Sequence, residues 1–144
     1  GGEVWLGGGG GGGEGRYDRR MIVYCCSDLI FATKIGSTAD ALGVGARPAR
    51  NSDALAKRLE QVDDGKLNEP VAAVFVDMDL EEKGIELIRQ VKAHDVSVPV
   101  VAFGAHVAVE LLDGAKQAGA DVVMPRGQFT AELPGMLERL RESG

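Results

Sequence analysis

From Met21 onward, short apolar runs alternate with longer segments whose apolar residues recur every three or four positions. The runs cover residues 21–26, 71–76, 98–103 and 120–124, a length suited to strands buried on both faces. Residues 44–50 read less clearly, yet they occupy the slot where a second strand belongs. Between the runs lie five stripes with helical spacing. Phe31, Ile35, Ala39 and Leu42 form the first, which ends at Gly43 as a helix C-terminus should. Leu55, Leu59 and Val62 form the second, capped by Asn51 or Ser52. Ile85, Ile88 and Val91 mark the third, and Val109, Leu112 and Ala115 the fourth. Leu133, Leu137 and Leu140 mark the fifth, with Thr130 as its expected cap and Pro134 in its first turn, where a missing N–H costs little.

Strands alternating with helices across short loops predict a parallel sheet covered on both faces. Five such units predict one flavodoxin-like (βα)5 doubly wound α/β domain over residues 21–144, strand order 2-1-3-4-5. Residues 1–20 differ in kind. Ten of them are glycine, including the unbroken run 7–13, and glycine loses the most conformational entropy on ordering. They read as a flexible leader or tag in which Trp5 and Leu6 are incidental apolar residues.

Composition narrows the function. A net charge of −6 gives no electrostatic support for nucleic acid or anionic membrane as a partner. No apolar stretch approaches the roughly 18 residues of a membrane span, and no secretory signal is present, so the cytoplasm is the expected compartment. Cys25 and Cys26 are adjacent and read as two reduced thiols beside a core strand.

The chemistry gathers at one strand end. Asp77 closes the run 71–76, and Asp79, Glu81 and Glu82 follow it. A carboxylate there lies where open α/β sheets bind ligands. Other motifs are thin. Gly43-Val44-Gly45 follows a helix rather than a strand, which is the wrong context for a dinucleotide fingerprint. His94 and His106 are far apart with no cysteine near either, so neither reads as a metal ligand. Glu81-Glu82-Lys83, Arg47 and Arg50 read as solvated surface.

The segment VAAVFVDMDLEEKGIEL (71–87) resembles the central strand and loop of bacterial response-regulator receiver domains. VPVVAFG (98–104) resembles their fourth strand, and Ala-Gly-Ala (118–120) before VVMP resembles the entry to their fifth. The resemblance spans residues 21–143 and implies a receiver fold with Asp77 at the phosphoacceptor position. Receivers transfer a phosphoryl group to that aspartate with Mg²⁺. They use an acidic pair after the first strand, a Ser/Thr after the fourth and a lysine after the fifth. Here the acidic pair falls on Cys26 and Ser27, or on Ser27 and Asp28, and the Ser/Thr position falls on Gly104, followed by Ala105. The lysine position falls on Pro125 or Arg126, and the loop from Asp77 to Gly84 is one residue short. Asp28 reads either as the start of the first helix or as a pocket carboxylate.

The resemblance therefore implies a pseudo-receiver: a signalling module that is not an enzyme and acts by protein–protein interaction, its phosphoryl-transfer machinery largely lost. No cofactor is expected. Mg²⁺, held by Asp28 and Asp77, belongs to the alternative of a working phosphorelay receiver. A small-ligand-binding flavodoxin-like domain is the third reading. Asp77 itself is expected to be a local structural acceptor, a weak phosphoacceptor, or a metal or ligand contact. By analogy the expected partner, a histidine kinase, a regulator or a separate output protein, meets residues 106–116 and 126–139. No output domain is expected after the fifth helix, and no oligomeric state is implied.

Overall fold

The computed structural model describes residues 20–63, 66–67 and 69–143. The expected leader falls outside them, Arg20 excepted. Five strands form one parallel sheet: β1 (Met21–Cys25), β2 (Gly45–Pro48), β3 (Val71–Asp77), β4 (Val100–Gly104) and β5 (Val122–Pro125). Their order is β2-β1-β3-β4-β5, the doubly wound arrangement expected from the alternation. The helices are α1 (Leu29–Ala41), α2 (Ser52–Leu59), α3 (Glu82–His94), α4 (Val109–Ala118) and α5 (Arg126–Ser143). A two-stranded antiparallel ribbon, Val62–Asp63 with Lys66–Leu67, is set apart from the sheet.

Strand alternation divides the core in two, because successive side chains point to opposite faces. Val74 and Val76 join Leu55, Ile85, Ile88 and Val91 on the face covered by α2, α3 and α4. Ala73 and Phe75 join Ile35, Phe129, Leu133 and Leu137 on the face covered by α1 and α5. Asp77 shares the parity of Phe75, so its side chain belongs to the α1/α5 face. Local devices fix other turns and edges of the fold. Asn51 caps α2 by accepting from the Ala54 N–H at 2.8 Å. Gly43 ends α1 at φ 73°, where a side chain would be strained. Along the outer edge, the Ala49 N–H donates to the Tyr24 carbonyl at 3.0 Å, and Arg58 Nε donates to the Pro48 carbonyl at 3.4 Å.

Several expected boundaries are corrected. α5 begins at Arg126, directly after β5, so Thr130 is not its cap; its Oγ1 donates back to the Arg126 carbonyl at 3.1 Å. Pro134 therefore lies inside the helix, where a proline costs about 3 kcal/mol or more. The buried stripe Phe129, Leu133, Met136, Leu137 and Leu140 holds the helix through it. Val62 leaves the α2 stripe, since that helix stops at Leu59 and Val62 pairs with Leu67. Val98 and Ala120 belong to turns rather than strands: the Val98 N–H donates to the Asp95 carbonyl and the Ala120 N–H to that of Ala115. Val109 is 59 % exposed and so lies off the buried stripe of α4.

Candidate functional site

Asp77 is the only charged or polar residue classed as buried among the described residues, at 0 % exposure. A buried carboxylate is costly unless it is hydrogen-bonded and paired with positive charge, and its own chain supplies both. Oδ2 accepts from the backbone N–H of Ser27 at 3.2 Å and from Ser27 Oγ at 2.9 Å. Oδ1 accepts from the Asp79 N–H at 3.0 Å and from Arg126 NH2 at 2.9 Å. Four donors occupy the roughly four lone-pair sites of a carboxylate.

The donors come from three places: Ser27 supplies two of them, and Asp79 and Arg126 one each. Ser27 follows β1, which pairs directly with β3 through Cys25 and Val76. The Asp79 N–H is presented by the 3₁₀ turn Met78–Leu80 that Asp77 itself caps. Arg126 opens α5 straight after Pro125, which pairs with Gly104 across β4 and β5. The same Arg126 NH2 also reaches Asp79 Oδ2 at 2.8 Å, so one guanidinium bridges two carboxylates. Its Cζ lies 5.5 Å from the centre of the Phe31 ring, within cation–π range. Burial works against the charge of Arg126, but the hydrogen bond to Asp79 and the charges of Asp77 and Asp79 outweigh it, and the guanidinium pKa stands above its ordinary value.

Beneath this pair lies a ring stack that sequence reasoning missed. Phe103 stacks on Phe129 at 4.1 Å and on Phe31 at 5.1 Å, while Phe75 meets Phe129 edge-on at 5.3 Å. The rings join α1, β3, β4 and α5 under the carboxylate. Phe129 carried the one available signal, since it sits four residues before Leu133 and extends that stripe upstream.

The remaining sequence candidates have these places. Asp28 caps α1, its Oδ1 accepting from the Phe31 N–H at 2.6 Å. Cys26 is half-buried beside the site; burial first, then the charge of Asp77, pushes its thiol pKa up. Burial alone pushes Cys25 up to about 12. Gly104 is buried, and a Cβ there would stand 3.1 Å from Met78 Cβ, so the strand end has no room for a side chain unless Met78 shifts. The Ala105 carbonyl accepts from the Ala108 N–H in the turn that leads to α4. His106, Val107 and Val109 are exposed along that turn, as are Leu29 and Ile30 in the first turn of α1.

A divalent cation does not fit this arrangement. Mg²⁺ needs carboxylate oxygens with free lone pairs, whereas both oxygens of Asp77 are taken and Arg126 holds Asp79. Asp28 is engaged with its helix. Among the described residues, no three His, Cys, Asp or Glu side chains converge as ligands would. Grooves of about 510 Å³, between α2 and α3, and about 320 Å³, between α1 and β2, open on the surface, and Asp77 lines neither. No helix among the described residues is long and apolar enough to cross a membrane.

No protein-family model matches the chain, and no curated protein matches it. Solved structures do. The receiver domain of NtrX from Brucella abortus superposes with a TM-score of 0.66 at 20 % identity, over 85 % of this chain and 99 % of that one. A response regulator from Thermotoga maritima gives 0.64 at 18 % identity, over 85 % and 98 %. A response regulator from Burkholderia pseudomallei, solved with a phosphorylated aspartic acid, calcium ion and citrate, gives 0.63 at 16 % identity, over 85 % and 69 %. These neighbours share the fold.

Proposed function

We propose that this chain is a receiver-like signalling module that acts by binding a protein partner, with Asp77 serving as an internal hydrogen-bond acceptor rather than as a phosphoacceptor. The observation that carries the reading is the saturation of Asp77 by Ser27, Asp79 and Arg126. A carboxylate that attacks phosphorus needs a free lone pair in line with the leaving group and a cation to neutralise the approaching anion. Here the lone pairs are donated to, and the positive charge is already shared between two carboxylates. The hydroxyl that would answer a phosphoryl group after β4 is replaced by Gly104, against which Met78 packs.

With the reactive centre closed, the surfaces left for signalling are those around it. The face of α4 and α5 is the candidate interface for a kinase, regulator or separate output protein. The alternative, a phosphorelay receiver modified on Asp77, draws on the strand-end position and on the phosphorylated aspartate of the Burkholderia neighbour. Incubation with a small-molecule phosphodonor and Mg²⁺, followed by intact-mass measurement, separates the two. Our reading expects no phosphoryl adduct. A stoichiometric adduct that disappears in Asp77→Asn overturns it in favour of the alternative.

A further inference from the structure

Arg126 does more than replace a lysine. Its NH2 lies between Asp77 Oδ1 and Asp79 Oδ2, at 2.9 and 2.8 Å, the bridging position of a cation between two carboxylates. We infer that the guanidinium is the resident cation of this site and keeps divalent metal ions out of it, acting as a positioning clasp between the start of α5 and the turn after β3. The inference rests on the reading of Asp77 as a carboxylate held by its own chain. It goes beyond that reading by assigning the cause to one side chain.

Three observations bear on the strength of the clasp. The backbone on which Arg126 is mounted is fixed: Pro125 is paired in β5, and the Arg126 carbonyl accepts from Thr130 Oγ1. Admission of a metal ion therefore requires the side chain alone to swing away. The Phe31 ring lies against the guanidinium, so that motion also gives up a cation–π contact. Arg126 Nε is buried without a hydrogen-bond partner, so the NH2 contacts dominate its placement. A planar guanidinium always carries its charge, whereas a lysine ammonium is a compact point charge on a flexible stem. An arriving ion would meet that fixed like charge before it met a free carboxylate oxygen.

The test uses the full chain and Mn²⁺, whose paramagnetism broadens nearby amide resonances. In the wild type, the amide peaks of Ser27, Asp77 and Asp79 are expected to survive millimolar Mn²⁺; in Arg126→Gln they are expected to be lost. Loss in the wild type overturns the inference. Survival in both proteins overturns it as well, because the exclusion then has another cause. Should the variant fail to fold, the Arg126 Nε–H resonance of the wild type is followed against Mg²⁺. It stays in place if the clasp holds, and displacement overturns the inference. Metal entry without phosphorylation would defeat this inference and leave the proposed function standing, while an adduct formed without metal entry would do the reverse.

Discussion

Arg126→Met removes the charge from the clasp while keeping an unbranched apolar side chain against Phe31. Breaking a buried ion pair by deleting one partner costs about 3–5 kcal/mol, because a charge is left uncompensated in a poorly solvated place. Two features lower that figure here. The Arg126 side chain is 29 % exposed, so part of its charge is already solvated in the folded state. Asp77 also keeps three other donors, the Ser27 N–H, Ser27 Oγ and the Asp79 N–H. A loss of about 2 kcal/mol follows, between the cost of one charged hydrogen bond and that of a fully broken buried pair. In urea denaturation followed by circular dichroism, with m near ~2 kcal/mol/M, the midpoint falls by roughly 1 M. The decisive measurement is the double-mutant cycle with Asp77→Asn. Once the carboxylate is neutral, losing the guanidinium matters less, so the double variant should lose at least ~1 kcal/mol less than the sum of the single losses. Single-variant losses that add to within about 0.5 kcal/mol would show that the pair is not energetically coupled, and the account of Asp77 as a clasped charge would be wrong.

Two further outcomes test neighbouring residues. Asp28→Ala should cost about 1 kcal/mol, and Asp28→Ser should restore most of it, because serine also caps a helix; equal losses in thermal melts would contradict the capping role. For the thiols, Cys25 stands at about 12 and Cys26 is also raised, so both stay protonated in the folded chain while the unfolded thiols ionise near ~8.5. Their contribution is complete below that pH and is lost as the pH climbs toward the folded value, so stability should decline above roughly pH 8.5. Replacing both cysteines with alanine should flatten that limb of the pH–stability curve, and an unchanged slope would refute the assignment.

The alternation of apolar runs and helical stripes was enough to reach five strands and their order, because parallel strands buried on both faces leave long apolar signatures. It misjudged ends where the signal is local and weak. α5 follows Pro125 directly, without a Ser, Thr, Asp or Asn before it, so its start carries no capping signal, whereas Thr130 and Pro134 imitate one; Phe129 already continues the stripe of Leu133 and Leu137. Val62 fits a helical spacing by chance, but the chain turns at Gln61, whose φ is 62°. At the candidate site, the sequence placed Asp77, Ser27 and Arg126 at strand ends without revealing which of them touch. The 49 and 50 positions that separate Asp77 from its partners carry no trace of hydrogen-bond geometry. The Phe31, Phe103 and Phe129 stack is equally non-local. Its rings meet only after α1, β4 and α5 have been placed.

The outer margin of β2 limits how anything can associate with this domain. Because the Ala49 N–H points inward to Tyr24, the alternation of the strand turns the position of Pro48 outward, where proline offers no donor and its carbonyl is already occupied by Arg58. A visiting peptide therefore finds no free main-chain donor at Pro48 from which to extend the sheet. Recognition at that end of the flank must lean on side chains.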